Sequence, residues 1–549
     1  MNRWADVNGI YQIYPRSFCD ASGDGNGDLR GVIEKLDYLK GNVNSLGVDA
    51  IWLSPFYKSP MHDSGYDVSD YYDVDPLFGD LADFKQLLDK AHHLGIKVMI
   101  DYIPNHTSSH SAWFQESRSS LNNPKRDWYI WRDPKEGREP NNWRSDFGGS
   151  AWQFDSATKQ YYLHSFLSSQ PDLNWANPEV RRAMLDVIRY WLSMGVDGLR
   201  TDAIDYIAKD QRFFNNPIRS HRKLDLSRPY QGQKYQYQIY NLFAPELKAY
   251  LSEICATVEQ FDNRIIIYEH YPDLDFPVSV CPARDQYEFL YSINPAVGAP
   301  FLFGTGVDYD AKQLKRLITE QQANFGGRYR SFYCFGNHDR SRLASRYGAK
   351  QARVVALLQL MLPGTPIIYY GEELGMTNSK ITPEQARGPL NKAHPRLRVG
   401  RDAERGPMQW NNTPNAGFSL AQPWLPVGAN YKTNNVQTEL NEPYSNLDLY
   451  KTLLRLRSNC EPLRSGRGFR YLEHQSRKAV AFAYQLDSGD QIKVFANLSK
   501  YSTIYPTYDH RRHITILAST APITSGRHRL RLKPNQAVVI LEGRPNHES

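Results

Sequence analysis

The 549-residue chain lacks the marks of several common protein classes. Its five cysteines, Cys19, Cys255, Cys281, Cys334 and Cys460, are scattered and odd in number, and no C-x-x-C occurs. That argues against a disulfide framework and against a zinc site. No apolar run approaches the ~20 residues of a membrane helix. The opening "MNRWADVNGIYQIYP" lacks the apolar core of a signal peptide. No G-x-G-x-x-G follows a strand and opens a helix, which speaks against a doubly wound dinucleotide fold. The net charge is only +7, and no Lys/Arg block reads as a nucleic-acid arm or polybasic patch. "HRRH" (510–513) and "GRHRLRLK" (526–533) are short and read as exposed strand or turn faces. Neither nucleic acid nor membrane is expected as a partner, and the expected setting is reducing and cytoplasmic.

What is present fits a globular protein of two or three domains, with 41% hydrophobic and 23% charged residues. The aromatic share, 13% with 36 Tyr and 11 Trp, suits sugar rings, though ordinary cores use the same side chains. A unit recurs along the chain. "DLADFKQLLDKAHHLGIKVMIDYIPNH" sets Leu81, Phe84, Leu88, Ala91 and Leu94 at helical spacing, then Gly95, then a short β-branched run. "NPEVRRAMLDVIRYWLSMGVDGLRTDAI" repeats it, with Asn177 as N-cap, Pro178 in the first turn and Gly195 as the stop. "LDYLKGNVNSLGVDAIWLSP" is a third copy, around Gly47.

Helix, glycine and buried strand in repetition mean parallel strands joined by helical crossovers. Eight strand candidates, at 9–15, 48–55, 97–103, 196–202, 265–270, 286–292, 331–336 and 366–371, predict an α/β fold, a (β/α)8 TIM barrel with its chemistry at the C-terminal strand ends. The barrel is expected over 1–103 and 172–464, with an irregular insert at about 377–445. Residues 104–171, rich in Trp, Asn, Ser and Gly, are too long for a loop and predict a small inserted domain after strand 3. Short alternating runs over 465–549 predict a C-terminal antiparallel β-sandwich.

"GVDGLRTDAIDY" (195–206) places Arg200 and Asp202 two apart in an apolar run, hence on one strand face. A structural ion pair is the bland explanation. A carboxylate kept ionised for attack is the sharper one, and the other strand ends favour it. The fifth ends at Glu269, the seventh leads into Asp339, and the third brings Asp101, Asn105 and His106. Two carboxyls flanking a bond suit glycoside hydrolysis, one as nucleophile and one as acid/base. Arg200 is expected to lower the pKa of Asp202, and apolar neighbours to raise that of Glu269.

"DYIPNH", "GLRTDAI", the Glu of "IIIYEH" and "FGNHDR" resemble, in order, the four core motifs of the alpha-amylase family (glycoside hydrolase family 13). "QPDLNW" is similar to the fifth motif of its oligo-1,6-glucosidase and alpha-glucosidase branch, and "HDSGYDVSDY", "FGGSAWQFD" and "GPMQW" point the same way. The resemblance implies Asp202 as nucleophile, Glu269 as acid/base and Asp339 as transition-state stabiliser. It implies that Asp63, Tyr66, His106, Arg200, His338 and Arg405 hold the reacting glucose, and that Phe147, Phe166 and Gln170 line the pocket mouth. Ala203, small where valine accompanies alpha-1,6 preference in the branch, implies alpha-1,4 preference. Two positions depart from the pattern, His270 after the acid/base and Arg340 after Asp339, both on the acceptor side.

"DASGDGNGD" alternates oxygen side chains at Asp20, Ser22, Asp24, Asn26 and Asp28, a spacing that wraps Ca2+ or Mg2+. Gly31 stands where an EF-hand needs glutamate, so this is not an EF-hand. A glycine-rich turn with exposed acids is the alternative. The branch resembled carries a structural cation here, and no organic cofactor is expected. The expected function is a retaining, exo-acting alpha-glucosidase on maltose, malto-oligosaccharides and sucrose, with transglucosylation, acting as a monomer or weak homodimer. A sucrose/trehalose-type transferase or isomerase, or an oligo-1,6-glucosidase, is the alternative on the same residues. A non-catalytic relative would lose the carboxylates and carry a membrane helix, and a sugar-binding protein would not need Glu269.

Overall fold

The computed structural model describes residues 3–218, 236–269, 291–294, 332–394, 400–472, 478–506, 513–523, 525–526 and 529–543. Eight short strands close into a parallel barrel: β1 (Ile10–Ile13), β2 (Ala50–Leu53), β3 (Lys97–Tyr102), β4 (Gly198–Thr201), β5 (Ile265–Glu269), β6 (Tyr291–Asn294), β7 (Phe332–Cys334) and β8 (Thr365–Tyr369). Each pairs with its neighbour in sequence, and β8 closes on β1 through Ile10↔Ile367. The sixth strand lies at the end of its expected range, and 286–290 fall outside the described residues, as does His270.

Helices between the strands explain the parallel order. α1 (Leu29–Leu39), α2 (Leu81–His93), α3 (Pro178–Met194), α4 (Leu247–Val258) and α5 (Ala349–Met361) each bury an apolar face against the barrel. α3 starts as its sequence requires. The Asn177 side chain accepts from Glu179 N, and Pro178 fills a position that needs no N–H donor. It ends at Gly195, whose φ of 114° lies where a Cβ would be strained. α2 ends at Gly95 in the same way. α1 does not, because it stops at Leu39 and Gly47 lies in the loop beyond.

The barrel interior changes character along its axis. At the N-terminal end Trp4, Val7, Ile10, Ala50, Met99, Ile265 and Phe332 pack a dry core. Two residues further along the strands the buried residues are Gln12, Trp52, Asp101 and Arg200, with Glu269 beyond Ile267. Inward positions alternate along a strand, so this second layer forms a polar floor at the C-terminal end.

Within 104–171 lies a three-stranded antiparallel sheet, Trp131–Arg132, Gln160–Leu163 and Trp152–Asp155. Among the described residues of 377–445 the regular elements are short helical turns, such as Pro389–Ala393 and Val436–Glu439. Beyond it, a five-stranded antiparallel sheet (469–471, 479–485, 491–497, 536–543 and 513–519) faces a three-stranded one, with Ala481, Phe495, Tyr505, Leu530, Leu532, Val538 and Ile540 as their shared core. Among the described residues no helix is long and apolar enough to cross a membrane.

Candidate active site

Arg200 is the centre of the polar floor. It is register-paired with Asp101 across β3 and β4, and its own strand carries Asp202 two residues on. Its Nη1 donates to Asp101 Oδ1 and Asp202 Oδ1, both at 2.8 Å, and Nη2 meets Glu269 Oε1 at 2.6 Å. The guanidinium is 1% exposed and lies 4.9 Å from the Trp52 ring centre. One buried cation thus gathers three carboxyls from three strands, with the opposite charges that make its burial tolerable.

The electrostatics correct one expectation. Burial pushes the Asp202 carboxyl up to about 6, and Arg200, though it pulls downward, does not overcome this. Asp101 is raised to about 6 for the same reason, against Arg200 and a 2.9 Å bond from Trp52 Nε1. Arg200 therefore limits the rise in Asp202 without depressing it below the ordinary range. Asp202 is still mostly ionised at pH 7.

Ala203 follows in the left-handed region, φ 49° and ψ 33°, unusual for a residue with a side chain. Asp202 N still donates to Tyr102 O at 2.8 Å, so the chain leaves the sheet between these two residues. The sharp turn starts the helical turn Ile204–Tyr206 and leaves Asp202 at the rim.

Asp339 sits in a second charge cluster. Its Oδ1 accepts from Arg401 Nη1 at 2.7 Å and Arg405 Nη2 at 3.0 Å, and its Oδ2 is 3.5 Å from His338 Nε2. Burial raises its pKa, but the Arg401 and Arg405 guanidiniums bonded to it outweigh burial and hold it well below the ordinary carboxylate range. His338 is itself held well below its usual pKa, chiefly by burial. It stacks on Tyr66 at 5.1 Å and 7°, and its Nδ1 is 2.8 Å from Gln12 Nε2.

Arg401 also pairs with Asp63, and its guanidinium lies 5.2 Å from the Phe147 ring centre. Sequence reasoning missed Arg401. The available signal was its place four residues before Arg405 in "GRDAERGPMQW", a faint one in an irregular stretch. Gln170 Nε2 reaches Asp63 Oδ2 and His106 Nε2, both at 3.2 Å, and His106 Nε2 is 3.3 Å from Tyr66 O. Asp63, Tyr66, His106, Gln170, His338 and Arg405 are thus brought together. Phe166 lies 5.1 Å from the His106 ring and 6.3 Å from Phe147, so both phenylalanines reach the same edge. Lys209, buried and also missed, pins this edge by bonding Asp172 Oδ2 and Asn105 Oδ1 at 3.0 Å each. Arg340 is half-buried beside Asp339.

The loop 20–28 folds on itself. Ser22 joins its two ends, with Oγ donating to Asp20 Oδ1 at 3.0 Å and N to Asp28 Oδ2 at 2.9 Å. Asp28 Oδ1 caps α1 through Gly31 N at 2.6 Å. Asp24 Oδ1 accepts from Asn26 N at 2.7 Å, and Asn26 Oδ1 is taken by Arg16 Nε at 2.8 Å. The oxygen donors Asp20, Ser22 and Asp28 suit a hard cation in chemistry, whereas Asn26 offers its side chain to Arg16. Among the described residues no three His, Cys, Asp or Glu side chains converge as a metal cluster.

Residues 12–466 match the alpha-amylase catalytic domain. The chain is 38% identical over 542 residues to an oligo-1,6-glucosidase of Parageobacillus thermoglucosidasius, covering 91% of each protein. It is 40% identical over 469 residues to a probable alpha-glucosidase of Rhizobium meliloti (strain 1021), covering 83% of each. Its fold is similar to that of a solved alpha-glucosyl transfer enzyme, with a TM-score of 0.88 at 36% identity, covering 99% of this chain and 100% of the other. A domain match over most of the length, with the barrel and its three carboxylates in place, means that this chain belongs to the alpha-amylase family of glycoside hydrolases, in the branch of the oligo-1,6-glucosidases and alpha-glucosidases.

Proposed function

We propose that the protein is a retaining, exo-acting alpha-glucosidase that removes the terminal glucose of short oligosaccharides. The observation that carries this is the single Arg200 guanidinium bonded to both Asp202 and Glu269. Two carboxyls held that close suit the ~5–5.5 Å separation of a double displacement. Asp202 attacks the anomeric carbon as Glu269 gives its proton to the leaving oxygen. Water then enters, Glu269 takes its proton, and the glucosyl ester breaks to release alpha-glucose and free Asp202. Asp339, ionised by its arginines, stabilises the positive charge that develops at the anomeric carbon. Arg401 ties Asp63 to Asp339, so the residues expected to hold the terminal glucose form one cluster with the carboxylates, which supports an exo mode.

Linkage rests on Ala203. A small side chain at the exit of β4 leaves room for a closely held alpha-1,4 acceptor, so maltose is expected to be the better substrate than isomaltose, with sucrose cleaved as well. Ala203→Val is expected to move the maltose-to-isomaltose ratio of kcat/KM toward isomaltose by about 1–3 kcal/mol in equivalent free energy. Valine is strained at φ 49°, so a melting curve must accompany the kinetics. Isomaltose already preferred by the unmodified enzyme would end this reading and shift attention to Arg340 and His270. The similarity to an oligo-1,6-glucosidase supports that alternative, and the similarity to a solved alpha-glucosyl transfer enzyme supports transglucosylation as a side reaction. Product analysis at high maltose decides the latter.

We further propose that Asp20, Ser22, Asp24 and Asp28 hold Ca2+ or Mg2+, which would brace the loop at the start of α1. A chelator is then expected to lower Tm while changing the turnover of the folded enzyme little. Lost activity at unchanged Tm would contradict this. The free thiols of Cys19, Cys255, Cys334 and Cys460 support a reducing, cytoplasmic setting.

A further inference from the structure

Tyr14 belongs to none of the groups assigned above. It follows β1, is 2% exposed, and sits among the residues that hold Asp339. Its ring stacks on His338 at 6.1 Å and 27°, so His338 packs against both Tyr14 and Tyr66. The Arg405 guanidinium lies 5.4 Å from the Tyr14 ring centre. The same ring stacks on Trp424 at 6.2 Å and 16°. Trp424 is fixed in turn, because its Nε1 donates to Ser17 Oγ at 2.9 Å, its N to Gly25 O at 2.9 Å, and the Arg16 guanidinium covers its ring at 4.2 Å. Arg16 ends on Asn26, in the loop described above.

We propose that Tyr14, backed by Trp424, is a positioning residue that sets the plane of His338 and the seat of the Arg405 guanidinium, and through them the geometry of Asp339. The proposal rests on the reading of Asp339 as the group that stabilises the transition state. The Gln12 contact holds one atom of the imidazole but leaves the ring free to tilt, and the two flat rings stacked against it, Tyr14 and Tyr66, restrict that freedom. Arg405 donates to Asp339 Oδ1 and, through Nε, to His338 O at 2.9 Å, so a shift of one moves the other. The hydroxyl matters less, because its bond to Ser64 O is long at 3.4 Å.

The test is steady-state kinetics of the full chain on maltose, with Tyr14→Leu, Tyr14→Phe, Trp424→Leu and Asp339→Asn, each with a melting curve. A displacement on the ångström scale costs on the order of 100-fold in rate. Tyr14→Leu is expected to lower kcat by about that much with KM nearly unchanged, and Tyr14→Phe, which keeps the flat ring, to restore most of it. Trp424→Leu, one residue further out, is expected to lower kcat about tenfold, again with little change in KM, and stands in if Tyr14→Leu does not fold. Leucine variants that keep wild-type kcat while Asp339→Asn is inactive overturn the proposal and leave the role of Asp339 intact. An active Asp339→Asn instead overturns the reading on which the proposal rests.

Discussion

Asp202→Asn is expected to lower the turnover of maltose by about 10⁴-fold or more, the loss seen when a nucleophile is removed from a site whose other parts remain. An amide at this position cannot form the glucosyl ester, and its uncharged oxygen weakens one of the three contacts of Arg200. The unmodified enzyme should release alpha-glucose at early times, because two inversions restore the starting configuration. Polarimetry or NMR on fresh digests reads this directly, and initial beta-glucose would exclude the ester. On the proposed mechanism the same carboxyl is expected to set the acid side of the pH profile. It is held at about 6 by burial, and that mechanism needs its ionised form, so kcat/KM should fall as the pH drops through about 6. Asp101 is held at about 6 on the same guanidinium, so the observed limb belongs to the group and not to one residue.

Arg401→Gln is expected to lower kcat/KM about 10²- to 10³-fold, the usual cost of one electrostatic stabiliser in a dry site. Arg401 is the only residue among those described here that bonds both Asp63 and Asp339. Glutamine leaves the carboxylates of Asp63 and Asp339 without their shared cation, and the pKa of Asp339 should rise from its depressed position. Arg401→Lys should recover only part of the activity, because one ammonium cannot make the forked contact to two carboxylates. Kinetics on maltose together with a melting curve separate this from general destabilisation. Unchanged kcat/KM in Arg401→Gln would remove the residue from the catalytic site.

The barrel was legible because its signals are local. Leu81, Phe84, Leu88 and Ala91 mark one face of a helix, Asn177 and Pro178 start another, and Gly95 and Gly195 stop two of them. The short apolar runs in "AVAFAYQL" and "QAVVILEG" likewise report strands, and both lie in the C-terminal sheet, where they are buried on both faces. Gly47 misled because a glycine at a plausible distance need not end a helix, and α1 had already stopped at Leu39.

The sequence by itself determined which residues are polar at the strand ends, because alternation in a parallel barrel leaves little choice about which side chains face inward. It therefore yielded the set Asp101, Arg200, Asp202 and Glu269 as inward or end-of-strand charges. Tertiary structure alone decided how that charge is shared. That Arg200 bridges three carboxyls depends on the register between β3, β4 and β5, which no local pattern encodes. That Asp202 rises to about 6 depends on how much water the closed barrel excludes, a property of the whole fold. Arg401 and Tyr14 come from an irregular stretch and a strand exit. Arg401 reaches Asp339, and Tyr14 its neighbour His338, only because the chain returns over more than sixty and three hundred residues respectively, where neither helical nor strand periodicity points the way.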